Sequence, residues 1–378
     1  MNPATVEFRN VSKHYGRQRA VVDLSLVVPA GDICVLVGPS GCGKTTSLKM
    51  VNRLVEPSMG QVLIDGEDVM SVEVTALRRR IGYVIQQIGL FPHQTIADNI
   101  ATVPRLLGWP RQRIQRRVEE LLELVGLDPG RVLNRYPSQL SGGERQRVGV
   151  ARAMAAEPPV MLMDEPFGAV DPIVRERLQN EFLRLHRTLG TTVLFVTHDI
   201  DEAIKMGTRV AVMRQGGYLA QFAPPTELLL RPANDFVARF VGADRGLKRL
   251  SLLTVADVKL TSGVVARVGE PATLARQHAR ASETEWVLLL NNDDRPQGWM
   301  RVEQLASDGF LGADHVDASS PLVTLETTLR DALSMMLASA VQTAVVVDER
   351  GRYTGTLTLD ELGIAFRSDV EPEPMSVT

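Results

Sequence analysis

The chain has 378 residues, 44% of them hydrophobic and 23% charged, so it is long enough for two or three domains and too apolar for global disorder. The net charge of −3 divides into about +3 up to Asp244 and about −6 after it, and neither part is basic enough to predict nucleic acid as the main partner. The N-terminal residues lack an apolar signal core, and no apolar run approaches the ~20 residues that span a bilayer. We therefore expect a cytosolic chain without signal peptide or transmembrane segment.

The chain has only two cysteines, Cys34 and Cys42, so we expect no structural disulfide, and a reducing compartment is favoured.

Alternating apolar and polar residues at 6–15 and 21–28 predict an antiparallel hairpin around Gly16. Tyr15 ends the first of these strands. A tyrosine there is more often a core or turn residue than a ligand, and it becomes a candidate for stacking on adenine only because a nucleotide loop follows.

The apolar run 33–37 is followed by GPSGCGKTT and then by a helical segment, so the order is strand, glycine loop, helix. This order is the context of a phosphate-binding loop, in which backbone N–H groups and a helix N-terminus face an anion. An ordinary glycine-rich turn is the alternative, but it explains neither the Gly-Lys-Thr ending nor the preceding strand. Lys44 is placed to hold the β- and γ-phosphates, and the Thr45 hydroxyl to ligate Mg²⁺. The predicted nucleotide-binding residues of the loop are Gly38, Pro39, Ser40, Gly41, Cys42, Gly43, Lys44, Thr45 and Thr46.

Farther along the chain, strands are predicted at 61–64 and 81–85, and helical spacing replaces them from about 89 to 157. Strand patterns return at 160–163, 192–196 and 209–213, alternating with helices as in a parallel sheet. The 89–157 block is therefore an insertion into an α/β core. Asp171 is predicted to cap the helix that starts with Pro172, and Asp199 with Glu202 resembles a capping box.

Two carboxylates, Asp164 and Glu165, end the buried strand VMLMD, at the strand end where open α/β sheets bind ligands. Asp164 suits a Mg²⁺ shell and Glu165 suits polarisation of a water that attacks the γ-phosphate. On its own such a pair could be a solvated acidic turn. His198 ends the next strand, where it is either a cap or core residue or, as we favour, a γ-phosphate contact that steadies the attacking water.

The segment LSGGERQRV, 140–148, has two glycines opening a helix at Glu144, which predicts a second anion site. Two phosphate-binding helix ends with one set of catalytic groups suggest a composite site in a head-to-tail dimer.

The segments GPSGCGKTT, IGYVIQQ, LSGGERQRV, VMLMDEP, GAVDP and VTHD resemble, in order, the Walker A, Q-loop, signature, Walker B, D-loop and switch-histidine motifs of ATP-binding cassette (ABC) ATPases. The stretch from 81 to 100 and the phrase AAEPPVMLMDEPFGAVDP are most similar to the ATPase subunits of osmoprotectant importers for glycine betaine, choline, carnitine or proline. The implied fold is an α/β P-loop NTPase (ABC ATPase) over 1–244, with an antiparallel β subdomain and the helical insertion. An α+β tandem CBS-like regulatory domain follows over 245–368, and residues 369–378 are expected to form a disordered tail.

The resemblance also implies residue roles. It makes Tyr15 the adenine-stacking residue, Gln86 a metal-linked catalytic residue that contacts the membrane partner, and Ser141 with Gly143 donors to the γ-phosphate of the opposite subunit. Asp171 would communicate between the two sites, and residues 89–100 would lie under the permease.

The implied cofactors are ATP and Mg²⁺. The implied partners are a second copy of the chain, transmembrane permease subunits and a substrate-binding protein, at the cytoplasmic face of the cell membrane.

Several positions depart from the resembled family. Val170 replaces the usual leucine of the D-loop, and Glu144 and Arg145 replace commoner glutamines, which we expect to be tolerated. CBS modules that bind a nucleotide usually end in glycine, a hydroxyl residue and an aspartate at fixed spacing. The second copy has Gly355, Thr358 and Glu361 there, and the first has Gly298, Arg301 and Gln304. A dimerising or ionic-strength-sensing role is therefore an alternative to nucleotide binding in this region.

Three functional alternatives stay open on the sequence. The chain could serve an ABC importer for an amino acid or an oxyanion, act as a soluble ABC ATPase on DNA or ribosomes, or sense nucleotides without hydrolysing them. The CBS-like region argues against the first, the absence of tandem cassettes and of a basic face against the second, and Glu165 with His198 against the third.

Overall fold

The computed structural model describes residues 3–85, 89–168, 171–305 and 309–367. The described residues form two compact units, which divide between Gly242 and Ala243. None of the helices in the described ranges is both long enough and apolar enough to cross a membrane.

The first unit contains two sheets and a helical block. Its strands are β1 (Val6–Tyr15), β2 (Gln18–Val28), β3 (Ile33–Val37), β4 (Met59–Ile64), β5 (Glu67–Asp68), β6 (Ile81–Val84), β7 (Val160–Asp164), β8 (Thr192–Thr197), β9 (Arg209–Arg214) and β10 (Tyr218–Ala223). Its helices are α1 (Lys44–Val51), α2 (Val74–Arg79), α3 (Ile96–Leu106), α4 (Arg111–Leu124), α5 (Pro129–Val132), α6 (Gly142–Met154), α7 (Pro172–Leu189), α8 (Ile200–Met206), α9 (Pro225–Leu230) and α10 (Asp235–Val241), with a 3₁₀ turn at Pro137–Gln139.

The larger sheet has the order β10-β9-β3-β8-β7-β6, and all its neighbouring pairs are parallel except β9 with β10. Every residue of β3, β7 and β8 is buried, as expected for strands covered on both faces. Because β8 lies between β3 and β7, the carboxyl ends of these three strands meet at one edge of the sheet.

The smaller sheet has the order β2-β1-β4-β5 and is antiparallel, so the predicted hairpin is confirmed. Its buried residues share one apolar cluster with α1 and with residues of β3, β6, β7, β8 and β9 in the larger sheet. The strand β10 was not predicted, because most of its residues are only half-buried and its apolar alternation is weak.

The helical block between β6 and β7 contains α3 to α6, which confirms the predicted insertion. Two details of helix starts differ from expectation. The helix of the signature segment begins at Gly142 and not at Glu144. Asp199 does cap α8, accepting hydrogen bonds from the N–H groups of Asp201 and Glu202, but the Glu202 carboxylate accepts a hydrogen bond from the Gln179 side chain instead of closing a capping box.

The second unit contains two three-stranded sheets with the same topology, one parallel and one antiparallel pair each, in the orders β11-β12-β13 and β14-β15-β16. Its strands are β11 (Val265–Arg267), β12 (Trp286–Leu290), β13 (Pro296–Arg301), β14 (Leu322–Val323), β15 (Ala344–Val347) and β16 (Tyr353–Leu357). Its helices are α11 (Arg245–Leu250), α12 (Ala272–Ala281), α13 (Leu329–Leu337) and α14 (Leu359–Arg367), with 3₁₀ turns at Val255–Asp257, Val302–Gln304 and Ala313–His315. The apolar pattern of the sequence predicts a strand at 286–290, a helix at 329–337 and a strand at 344–347, and β12, α13 and β15 have these bounds, whereas α12 was missed.

Candidate nucleotide-binding site

The loop between β3 and α1 has the backbone shape that its glycines predicted. Gly43, which caps α1, has a φ of 99°, and a Cβ there would stand 2.3 Å from the Ala20 carbonyl oxygen. At Gly38 a Cβ would stand 2.2 Å from the Met213 carbonyl oxygen. Both positions therefore require glycine, for backbone conformation and for space. The loop therefore packs closely against the backbone of β2 and β9 at these two glycines.

Lys44 lies inside this loop and is 7% exposed. Its Nζ donates hydrogen bonds to the carbonyl oxygens of Gly38 at 2.7 Å and Pro39 at 3.1 Å. The ammonium group is thus held inside the loop by two backbone carbonyl oxygens, close to the N-terminus of α1. This arrangement concentrates positive potential where an anion would sit.

Cys42 lies beside that ammonium, with its sulfur 3.7 Å from Nζ. The thiol is fully buried, and burial raises its pKa, so it is predominantly protonated at neutral pH. Both cysteines are free and buried.

Thr45 and Asp164 meet across the edge of the sheet, where the threonine hydroxyl donates a hydrogen bond of 3.0 Å to the carboxylate. Asp164 is 6% exposed; burial raises its pKa, while the bond from Thr45 acts in the opposite direction. A hydroxyl and a buried carboxylate this close are oxygen donors of the kind that Mg²⁺ prefers, so these residues fit the predicted metal.

Glu165 has a φ of 45°, which is unusual for a residue with a side chain. Its backbone N–H donates to the Val196 carbonyl oxygen at 3.0 Å, and this bond to β8 fixes the turn after β7. The Glu165 carboxylate lies 3.1 Å from Nδ1 of His198. Backbone strain of this kind is typical of residues held in place for function.

A cavity of about 330 Å³ lies over the loop. Its lining brings together Tyr15, Glu165 and the loop residues 40–46, together with Gln18 and Ala20, which the sequence had not singled out. The Tyr15 ring is 48% exposed at the rim, with the Lys13 ammonium 5.1 Å from its centroid. An exposed aromatic face beside a phosphate-type loop is suited to stacking on a planar base.

Ser141 and Gly143 lie at the start of α6 and do not line this cavity in the part of the chain that the structure describes. Ser141 caps α6, and Glu144 completes the capping box. Asp171 is exposed and caps α7 by accepting a hydrogen bond from the Val174 N–H, as predicted. A Cβ at Gly143 would stand 3.4 Å from a methyl carbon of Val174, so the start of α6 packs close to the first turn of α7.

Gln86, Val170 and the tail 369–378 lie outside the described residues. The predictions made for them therefore stay predictions.

Two contacts around the site were not foreseen. Glu202 of α8 is buried and accepts a hydrogen bond of 2.9 Å from Gln179, which is buried on α7. Burial raises the pKa of Glu202, while bonds from Thr197 and Gln179 partly offset this effect. Arg131 of α5 forms an ion pair with Glu144 of the signature segment. Both contacts join residues that are far apart in sequence, so a local pattern could not have revealed them.

The second unit has its own cavity of about 560 Å³, lined by several hydroxyl residues, by Lys259 and by Trp286 and Trp299. Of the candidate ribose contacts, Thr358 lines this cavity, but both its N–H and its hydroxyl donate to the Glu361 carboxylate. Glu361 is thereby occupied in closing the first turn of α14.

In the first copy the corresponding hydroxyl position is taken by Arg301. Its guanidinium lies 4.9 Å from the centroid of the Trp286 ring.

Comparisons with known proteins agree with this geometry. A family model described as ABC transporter matches residues 21–168, and a model described as CBS domain matches residues 315–365, the second copy of the repeat. The dimeric structure of the bacterial ABC transporter cassette MJ0796 is 33% identical, with a TM-score of 0.53, and covers 58% of this chain and 98% of that chain. The first unit is therefore an ATP-binding cassette of the ABC class, and the predicted α/β P-loop fold is confirmed.

Relatives extend the match to nearly the whole chain. The osmoprotectant import ATP-binding protein OsmV of Salmonella typhimurium is 46% identical over 94% of this chain and 94% of its own length. The choline transport ATP-binding protein OpuBA of Bacillus subtilis is 44% identical over 92% of this chain and 93% of its own length. The chain belongs to the family of ATP-binding subunits of osmoprotectant ABC importers, which confirms the resemblance read from its motifs.

Proposed function

We propose that this chain is the ATP-hydrolysing subunit of an ABC importer that takes up an osmoprotectant such as glycine betaine, choline, carnitine or proline. The observation that carries the proposal is the convergence at one sheet edge of a phosphate-type loop, a buried Asp164 and the Glu165–His198 pair, in a chain 46% identical to an osmoprotectant import protein. The residue roles below are part of the proposal.

Binding is assigned to the loop and the hairpin. Tyr15 stacks on the adenine, and the N–H groups of the loop residues 38–46 hold the phosphates. Lys44 exchanges its present carbonyl partners for the β- and γ-phosphates. Thr45, Asp164 and Gln86 would together hold Mg²⁺, and the bound metal would neutralise part of the phosphate charge.

Hydrolysis is assigned to the pair at the ends of β7 and β8. The Glu165 carboxylate accepts a proton from the attacking water, and a new P–O bond forms as the bond to the ADP oxygen breaks. His198, hydrogen-bonded to that carboxylate, steadies the water and contacts the γ-phosphate.

The site is completed by a second copy of the chain. Ser141 and Gly143 lie at a helix N-terminus outside the cavity, which supports their assignment as contacts to a nucleotide held by another subunit. Asp171, at the start of α7, links the two sites. The dimeric MJ0796 cassette supports this arrangement by its likeness to the first unit.

The proposed partners outside the dimer are transmembrane permease subunits, contacted by residues 89–100 at the cytoplasmic face of the membrane, and a substrate-binding protein. Residues 1–244 are the ATPase domain in this proposal, and residues 245–368 form a tandem CBS-like regulatory domain.

The test is uptake by vesicles that contain the complete transporter, with ATP enclosed on the side of this subunit. Labelled glycine betaine, choline, carnitine and proline are compared with an amino acid and an oxyanion. We expect uptake of at least one osmoprotectant, dependent on ATP and abolished by Lys44→Ala. Uptake of only the amino acid or the oxyanion would assign the chain to another class of importer, and ATP-independent uptake would overturn the proposal.

A further inference from the structure

We propose that Glu144 is a positioning residue of the signature segment. Glu144 keeps the Ser141 hydroxyl in an intrachain hydrogen bond. Its negative charge also opposes the approach of a nucleotide bound to a second copy of the chain, and Arg131 acts as its counter-ion. The inference rests on the proposed function, because it concerns closure of the composite dimer.

The first argument is the hydrogen bonding of Ser141. Its backbone N–H and its hydroxyl both donate to one carboxylate oxygen of Glu144, each at 2.9 Å. The Ser141 oxygen in turn accepts a bond of 3.3 Å from the Glu144 N–H. A serine hydroxyl has a single hydrogen, so Ser141 cannot donate to a phosphate oxygen until it turns away from Glu144.

The second argument is charge. Bonds from the Ser141 N–H and hydroxyl and the nearby Arg131 and Arg147 lower the pKa of Glu144, so this side chain is an anion at neutral pH. It lies in the first turn of α6, next to Ser141 and Gly143, the residues proposed to contact a γ-phosphate. Two anions brought together without a full counter-charge repel each other, which weakens association.

The third argument is the counter-ion. Arg131 reaches Glu144 from α5, and its side chain is 55% exposed against 16% for the glutamate. A pair with one exposed partner is screened by salt. The net charge of the signature segment therefore depends on Arg131 and on ionic strength. A capping box with a purely structural role would show no such dependence on salt.

A single substitution separates charge from capping. Glutamine at the third helical position also completes a capping box, so Glu144→Gln removes the charge and keeps an acceptor oxygen for Ser141. The matched control is Glu123→Gln, which removes the same charge from an exposed position on α4, in the same helical block.

The experiment uses the full chain with Glu165→Gln, in which slow hydrolysis preserves the ATP-bound dimer. Dimer formation is followed by analytical ultracentrifugation against ATP concentration, at about 50 mM and about 500 mM salt, conditions that shorten the screening length several-fold. Adding Glu144→Gln is expected to lower the ATP concentration for half-dimerisation about five- to tenfold at low salt, and much less at high salt. Arg131→Gln is expected to raise the ATP concentration for half-dimerisation, and Glu123→Gln is expected to leave that concentration unchanged.

The outcomes are distinguishable. If Glu144→Gln leaves the ATP dependence unchanged, or changes it equally at both salt concentrations, the inference is overturned. If Glu123→Gln changed the ATP dependence by the same amount, the effect would be one of general surface charge, and the inference would also be overturned. If the Glu165→Gln parent binds ATP but does not dimerise, the composite site of the proposed function fails first. Thermal unfolding of each variant shows whether the capping box has survived.

Discussion

The two units of the molecule each carry residues that resemble a nucleotide-binding motif, but they use them differently. In the first unit the loop between β3 and α1, Glu165 and Tyr15 line one cavity. In the second unit Thr358 and Glu361 bind each other at the start of α14, and Arg301 lies over Trp286. Both units thus contain a cavity and a motif, and only in the first do most of the motif side chains face the cavity.

The difference shows that motif spacing alone does not place a motif side chain at a cavity. A carboxylate that already closes a helix turn must give up those bonds before it can hold a ribose, and that exchange reduces the gain on binding. Replacing a motif carboxylate of the first unit should therefore change nucleotide chemistry, whereas replacing a motif side chain of the second unit should change stability.

The largest expected effect is that of Glu165→Gln in the first unit. Removing the proposed general base should lower steady-state ATP hydrolysis about 10²- to 10⁴-fold, while calorimetry should find ATP binding retained. Glu361→Gln in the second unit is the counterpart, and we expect less than about a twofold change in hydrolysis. Equal turnover by Glu165→Gln and the unaltered chain would remove Glu165 from the base role.

The loop glycines offer the next largest effect. Gly43→Ala places a Cβ 2.3 Å from the Ala20 carbonyl oxygen at a φ of 99°, and should cost about 2 to 4 kcal/mol of unfolding free energy. Gly41→Ala is the control, because φ there is 78° but the Cβ meets open space, so about 1 to 2 kcal/mol is expected. Urea unfolding measures both. A similar loss of unfolding free energy in the two variants would show that steric crowding is not the reason why position 43 requires glycine.

The sequence predicted most of this architecture because the decisive patterns are local. The buried runs of β3, β7 and β8 and the glycine loop define the sheet edge, and the bounds of α13 and β15 follow from their apolar spacing. The helix α12 was missed because its buried face consists of Ala272, Ala275 and Ala279, which give a weak apolar signal.

Contacts between distant segments could not be predicted in the same way. Glu144 was expected to be a tolerated replacement, yet its carboxylate closes a capping box and meets Arg131, 13 residues earlier. Glu202 matched a capping box by spacing, but the docking of α7 on α8 gives its carboxylate a different donor, Gln179. Which donor a carboxylate finds depends on packing, and a local pattern contains no information about it.

Glu202 provides a prediction for stability against pH in the first unit. Burial raises the folded pKa of Glu202 above its ordinary value of 4.5, so the folded state favours the protonated carboxyl, and stability falls as pH rises from about 4.5 through the folded pKa. Glu202→Gln should therefore stabilise the chain at pH 7, and this advantage should vanish below about pH 4.5. Thermal unfolding across this pH range measures it. The control is Glu176→Gln, which removes an exposed carboxylate from α7. The same pH-dependent gain in that variant would show that burial of Glu202 is not the cause.

The smallest expected effect lies in the second unit, at the motif residue that faces its cavity. The Thr358 hydroxyl donates to Glu361, so Thr358→Ala should destabilise α14 by about 0.5 to 1 kcal/mol, while Thr358→Ser should restore most of the loss because it keeps the hydroxyl. Amide hydrogen exchange in α14 measures the effect, and ATP hydrolysis should stay unchanged in both variants. If Thr358→Ala instead abolished binding of an adenine nucleotide without faster exchange in α14, the hydroxyl would serve the cavity rather than the helix. The contrast between the two units would then be wrong at this position.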